Sequence, residues 1–216
     1  MVAIAPGDAG DHQREGRWLR VGPRVRVMAL RSEHSTQVTL DAPFGLAPMP
    51  IHAWRGGLDD DREEPPRGAS DWAEGTVYAY VIDLLDAPGG QPAFRVYFQD
   101  SGTHEPVGYV PRSLLDGKRV DAALLCVGGD FERLRRHPEG ILENTRPRHA
   151  VLGHWEDFFT TQDNYEIDGR VYPIPATGQD TKTFTERAER AMRRIDPEAK
   201  VWLPCPTRSR FVFAPE

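Results

Sequence analysis

Three side chains that can bind a metal ion stand just past predicted strands: His34, Asp100 and His154. In open α/β sheets, ligands gather at the carboxyl ends of the strands, so we expect these three to converge at one edge. Two imidazoles and a carboxylate suit zinc, iron or manganese. Taken singly, a loop histidine is usually a surface residue and an aspartate after a strand usually forms a turn. The repeated placement therefore makes a metal site as plausible as these structural roles.

The elements that would carry these residues alternate between strands and helices. Period-two alternation or apolar runs predict the strands, and composition predicts the helices. The predicted strands are 24–30, 76–82, 93–98, 120–127, 149–152 and a last pair within 201–213, and the predicted helices are 131–144 and 183–194. Turn residues at 86–92 join the second and third strands into a hairpin, and Pro138 is placed near a helix start or a break. This alternation predicts an α/β sandwich.

The chain divides into a short polar segment and one larger domain. Residues 1–20 are Gly-rich and charged and are expected to be a loose lead-in, followed by a domain at 21–216. Residues 41–74 hold many Pro, Gly and acidic residues, which predicts a solvated loop insertion.

Composition excludes several functions for these 216 residues. The net charge of −6 and the pI near 5.7 argue against a nucleic-acid partner. No apolar run is long enough to cross a membrane, and the start lacks a secretory signal, so no membrane partner is expected. The two cysteines lack metal-ligand spacing, which favours a reducing, cytoplasmic setting.

The sequence around the three candidate ligands resembles a known superfamily. Ser32-Glu33-His34, Phe98-Gln99-Asp100-Ser101-Gly102 and Leu152-Gly153-His154-Trp155 look like the three later metal motifs of the metallo-β-lactamase superfamily, closest to its bacterial hydrolases and their lactonase-like branch. Order, strand context and residue types match over most of 20–180. The resemblance implies an αββα sandwich with one or two metal ions, usually zinc.

The same resemblance implies roles for the three residues. His34 would complete the first metal site, Asp100 would bridge both ions and His154 would close the second. The implied reaction is hydrolysis of an ester, lactone or phosphodiester-type bond in a small molecule by metal-bound hydroxide.

The superfamily's most specific motif, His-x-His-x-Asp-His, is absent from this sequence. Three interpretations follow: a C-terminal part of a longer hydrolase, a non-catalytic binding or scaffold relative that has lost its metals, or one reduced site with two histidines and one carboxylate. An incomplete sandwich would expose an apolar sheet face, so we expect homodimers or other association through that sheet.

Six neighbours of the ligands are candidates for supporting the site or lining a pocket. Trp155 would wall a pocket or pack over the sheet, and Glu156 with Asp157 would hold a ligand imidazole or lie in a solvated loop or helix cap. A nucleophilic role for Ser101 is rejected because no Gly-x-Ser-x-Gly elbow is present. The six candidates are Glu33, Ser101, His104, Trp155, Glu156 and Asp157.

Overall fold

The computed structural model describes 4–34, 38–40, 49–51, 75–127, 131–155, 166–167, 170–171, 180–204, 210 and 212–213. The strands in these residues are β1 (Trp18–Gly22), β2 (Val25–Arg31), β3 (Val38–Leu40), β4 (Met49–Ile51), β5 (Tyr78–Leu85), β6 (Pro92–Gln99), β7 (Ala122–Cys126), β8 (His149–Gly153), β9 (Glu166–Ile167), β10 (Arg170–Val171) and β11 (Lys200–Trp202). The α-helices are α1 (Arg112–Gly117), α2 (Glu139–Thr145) and α3 (Thr181–Ile195). Within this part of the chain, no helix is long and apolar enough to span a membrane.

Seven of the strands form one mixed sheet in the order β1-β2-β5-β6-β7-β8-β11. The pairs among β1, β2, β5 and β6 are antiparallel, whereas β6, β7, β8 and β11 are parallel to one another. Parallel neighbours need a crossover connection, and α1, α2 and α3 lie in the three crossovers. The predicted hairpin and the α/β class are both confirmed.

All three helices contribute to a core on one face of this sheet. Alternation along β5 and β6 sends every second side chain to that face, where Val81 and Tyr97 are fully buried. The helices cover the face with apolar side chains such as Leu114 from α1, Leu142 from α2 and Phe184 from α3.

A row of charged residues of alternating sign crosses the same face. Asp83 lies opposite Arg26 on one side and Arg95 on the other. The Arg95 guanidinium donates to both carboxylate oxygens of Asp83, with Nε–Oδ1 at 2.6 Å and Nη2–Oδ2 at 3.0 Å. Nη2 of Arg26 donates to Oδ2 of the same carboxylate at 2.8 Å. The row continues at Asp121, which accepts the Arg95 backbone N–H at 2.7 Å, and at Arg148, 3.9 Å from Asp121.

Arg95 also fixes α1 to the sheet. Its Nη1 donates to the carbonyls of Leu114 and Lys118 at 2.7 and 2.8 Å. Asp83 and Arg95 are 0% and 2% exposed, so the pair is desolvated and depends on these additional hydrogen bonds.

The other face of the sheet is apolar and half-buried. Tyr80, Ile82, Val96 and Phe98 lie on it, and Leu84 is 43% exposed. Near the end of the chain, Phe213 stacks on Phe94 of β6 with ring centroids 6.2 Å apart. Association through this sheet stays a prediction.

The beginning of the chain differs from the expected loose lead-in. The first strand starts at Trp18, and Gly10 bridges to Leu30, with its N–H donating to Ala29 and its carbonyl accepting from Arg31. These bonds use the backbone alone, so side-chain alternation could not reveal them. Within the expected loop at 41–74, Met49–Ile51 pairs with Val38–Leu40, and the other residues of that loop lie outside the described ones.

Three further elements differ in extent from expectation. The helix expected at 131–144 is a 3-10 turn at Phe131–Arg133 followed by α2, which begins directly after Pro138, as the residue's restricted backbone predicts. The helix expected at 183–194 is α3, which begins two residues earlier because Asp180 caps the Thr183 N–H at 2.9 Å. Of the strand pair expected in 201–213, the described residues contain only β11.

Replacing Asp83 by Asn should destabilise the fold strongly. The substitution leaves the Arg95 guanidinium buried without its counter-charge, which typically costs about 3–5 kcal/mol. Urea denaturation measures the loss. Glu186→Gln is the control, because Glu186 forms an exposed pair with Arg190 and should change stability by less than about 0.5 kcal/mol. If the two variants unfold at the same urea concentration, the row does not support the fold.

Arg146 ends α2 in the left-handed conformation, with φ 46° and ψ 52°, while its N–H donates to the Leu142 carbonyl. Glycine is usual at such a position because other residues are strained there. We expect Arg146→Gly to raise the free energy of unfolding by about 0.5–1 kcal/mol. Arg146→Ala keeps the strain and should give no gain. Thermal denaturation of both variants tests this, and equal melting temperatures would contradict it.

Candidate functional site

Five strands of the sheet have their carboxyl ends at the same edge, and β11 is one of them because it is parallel to β8. β2 and β6 are both antiparallel to β5 and therefore run in the same direction, and β7 and β8 are parallel to β6. His34 lies three residues past β2, Asp100 directly follows β6 and His154 directly follows β8. All three candidate ligands therefore stand at the carboxyl edge of these strands, as the sequence predicted.

Asp100 and His154 are in contact. Nδ1 of His154 lies 3.3 Å from Oδ1 of Asp100, and the side chains are 41% and 64% exposed, respectively. β7 separates β6 from β8, so their backbones are about 10 Å apart and the two side chains must span that gap. His154 adopts a left-handed backbone, with φ 58°, where it leaves β8. A histidine in this strained conformation fits a position where side-chain direction matters.

His34 is exposed at the same edge. Within the described part of the chain, no three His, Cys, Asp or Glu side chains form a group that could hold a metal ion. The structure thus brings Asp100 and His154 together without His34 completing the set, and His34 as a ligand stays a prediction. Glu156 and Asp157 lie outside the described residues.

The contact between Asp100 and His154 is a side-chain hydrogen bond, and its length is also compatible with two ligands of one ion. Zinc binds nitrogen and carboxylate oxygen at about 2.0–2.2 Å, so two ligands of a tetrahedral ion lie about 3.4 Å apart. The observed 3.3 Å separation and the donor types both fit this arrangement. A catalytic zinc generally uses three protein ligands, so the pair fits as part of a site.

Gln99 forms a hydrogen bond with the loop that follows β6 and carries Asp100. The Gln99 amide donates to Thr103 Oγ1 at 3.0 Å, and this hydroxyl donates to the Val107 carbonyl at 2.9 Å. Gln99 is 1% exposed, and it was not among the sequence candidates. Every second side chain of β6 is buried, so extending this alternation two residues past Tyr97 would have identified Gln99.

Gly108 joins this loop to the end of β2. Its N–H donates to the Arg31 carbonyl at 3.1 Å, and its φ is +77°. A Cβ at this position would lie 2.6 Å from Nε2 of Gln99 and 3.3 Å from Oγ of Ser32. Only glycine permits this close approach, which fixes the loop after β6 beside the strand that leads to His34.

His137 lies buried beneath the loop that follows β6. It is 2% exposed, its Nε2 lies 3.3 Å from the Cys126 carbonyl, and a Cβ on Gly102 would lie 3.3 Å from its ring. Arg187 of α3 donates to its backbone carbonyl at 2.7 Å. Burial lowers the pKa of His137 to about 4, so the ring stays neutral at neutral pH.

The remaining neighbours have structural surroundings. Trp155 is 1% exposed and belongs to the core, which supports the packing alternative over a pocket wall. Ser101 is buried, in agreement with the rejection of a nucleophilic role. Nδ1 of His104 accepts the Arg135 backbone N–H at 3.1 Å. Glu33 is half-buried. Roles for Glu33 and His104 in a metal site stay predictions.

Comparison with known proteins gives two solved structures that are similar to parts of this chain. No protein-family model and no curated protein sequence match the chain. A zinc-dependent hydrolase of the metallo-beta-lactamase superfamily from Thermotoga maritima, described as putative, matches 75% of this chain and 51% of its own, with 10% identity and a TM-score of 0.34. A mutant of the CmlA beta-hydroxylase matches 86% of this chain and 30% of its own, with 11% identity and a TM-score of 0.42.

The chain spans about half of the length of the Thermotoga maritima hydrolase and less than a third of the hydroxylase. At these identities and TM-scores neither similarity carries an argument about this chain.

The buried His137 should make stability fall in acid. The unfolded ring has a pKa near 6.5, whereas the folded one has a pKa of about 4, so the unfolded state binds more protons between these values. The contribution is complete above pH 6.5 and is lost as pH falls toward 4, by about 3 kcal/mol. Urea denaturation from pH 7 to 4 should show a smaller loss in His137→Phe, with the exposed His12→Ala as the control. An unchanged loss in His137→Phe would contradict this assignment.

Proposed function

We propose that the chain is a metal-dependent hydrolase of the metallo-β-lactamase type, with zinc as its metal. The observation that carries the proposal is the 3.3 Å contact between Asp100 and His154 at the edge where the strands end. This edge is also where the sequence motifs that resemble the superfamily place its later ligands. Neither residue lies on an arbitrary part of the surface, because each directly follows a strand of the parallel half of the sheet.

His154 and Asp100 would hold the ion, with His34 approaching from β2. Zinc would supply a Lewis acid that polarises the bond under attack and lowers the pKa of bound water. His154 would bind through a neutral ring nitrogen, so acid should weaken metal binding. The second oxygen of Asp100 would remain available for another ion, which fits the bridging role that the resemblance implies.

The proposed substrate is a small molecule with an ester, lactone or phosphodiester-type bond. Asp100 and His154 are more than one third exposed, so a ligand can reach them from solvent. The net charge of −6 opposes the approach of polyanions, which disfavours nucleic acids.

The alternative function is a binding or scaffold protein of the same fold without metal. The described residues favour it in one respect, because they bring only Asp100 and His154 together and no third ligand. The two proposals differ in whether the folded chain binds zinc.

Zinc titration of the purified chain tests the proposal. Isothermal titration calorimetry should show binding that His154→Ala and Asp100→Asn each weaken at least tenfold, because each removes a donor from the contact. His12→Ala removes an exposed imidazole of the N-terminal segment and should leave the affinity unchanged. Hydrolysis of nitrophenyl esters, lactones and bis-nitrophenyl phosphate is then measured with zinc and with a chelator.

Zinc-dependent turnover that His154→Ala abolishes would support the hydrolase. A cooperatively folded chain that binds no zinc would overturn it in favour of the metal-free alternative. Equal zinc affinity in the wild type and both site variants would show that the metal lies elsewhere.

A further inference from the structure

A cavity of about 480 Å³ lies at the opposite edge of the sheet. It is bounded by α1 and by the carboxyl ends of α2 and α3. These three helices precede β7, β8 and β11, respectively, so the cavity lies at the amino ends of those strands. Its volume is within the usual range for small-molecule sites, about 300–1,000 Å³. A five-residue strand separates the two edges by roughly 16 Å, so this cavity is distinct from the contact between Asp100 and His154.

Two exposed arginines that line the cavity have no ion pair among the described residues. Among its charged groups, Arg119 pairs with Asp196 at 3.0 Å, and Glu143 pairs with Arg136. Arg112 and Arg146 also line the cavity, and neither guanidinium has a hydrogen bond or ion pair in the part of the chain that the structure describes.

Asp116 is the remaining charged group of the cavity, and it likewise has no ion pair among the described residues. The six charged residues that line the cavity sum to zero formal charge, so an anion would be held by direct contact with the two unpaired guanidinium groups and not by a net charge of the cavity.

The end of α2 does not need the Arg146 side chain. Arg119 donates to the carbonyls of Arg146 and Pro147, which lie just past the helix, at 2.7 and 3.3 Å, whereas the Arg146 backbone N–H donates to the Leu142 carbonyl. Arg146 nevertheless occupies a left-handed position where glycine would be less strained. Arg146 is an exposed residue that lines the cavity, although its backbone conformation favours glycine.

The cavity also offers apolar surface. Leu115 of α1 and Ile195 of α3 line it beside the arginines. Arginine forks match the paired oxygens of carboxylates and phosphates. From this combination we infer that the cavity binds a small organic anion, whose carboxylate or phosphate contacts Arg112 and Arg146 and whose apolar body packs on Leu115 and Ile195.

Calorimetric titration with sodium octanoate and with octyl phosphate tests the inference and distinguishes the two oxyanions. At least one of the probes should bind, and octanol, which lacks the charge, should bind at least tenfold more weakly. The double variant Arg112→Ala/Arg146→Gly should weaken binding of the anion at least tenfold. Arg190→Ala removes an exposed arginine of α3 outside this cavity and should change affinity less than twofold.

Loss of binding in the double variant cannot be attributed to strain at Arg146, because glycine relieves that strain. Its melting curve provides the check on folding. Absence of binding by both anions would overturn the inference, as would equal affinity in the double variant or octanol binding as tightly as octanoate. These outcomes do not depend on zinc, so the inference stands or falls separately from the proposed hydrolase.

Discussion

The buried ion pair between Asp83 and Arg95 is the interaction on which the rest of this structure depends. A desolvated pair is stable only when its remaining donors and acceptors are satisfied. Here Arg26 takes a further position on the carboxylate, and two carbonyls at the end of α1 accept from Arg95. The pair therefore joins β2, β5 and β6 to α1, and an apolar replacement could not reproduce that directional connection.

Both candidate sites are positioned through this pair. β6 carries Arg95 in its middle and is followed directly by Asp100, so the buried pair anchors the strand that leads to the candidate metal ligand. Arg95 also holds α1, which contributes Arg112 and Leu115 to the arginine-lined cavity. The charged row also includes Asp121 and Arg148, which directly precede β7 and β8. It therefore aligns the amino ends of these two strands, and their carboxyl ends lie at the edge of Asp100 and His154.

Period-two alternation predicted β2, whereas apolar runs predicted the strands of the parallel half and so the placement of Asp100 and His154 just past them. It did not predict the ordered segment around Gly10, which pairs through its backbone alone. A structural or exposed position was expected for His137, but its burial and the left-handed conformation of Arg146 were not predicted. Burial of the first depends on packing from α3, and the strain of the second depends on where α2 ends, so neither is a property of neighbouring residues in sequence. Which residues could share a metal ion depends on the distances between loops, and composition and spacing do not give those distances.

The two candidate sites are better regarded as independent than as coupled. Besides the strands that run between the two edges, α2 spans the chain between His137 and Arg146. Coupling through it would require a second stable position for this helix. At the start of α2, Arg187 donates two hydrogen bonds of 2.7 Å to Glu139. Near the end of α2, Asn144 forms hydrogen bonds of 2.9 and 3.0 Å with the Val110 backbone. A helix fixed at both ends by paired hydrogen bonds has no evident alternative arrangement. An anion in the cavity and a metal ion at Asp100 and His154 would then bind without affecting each other.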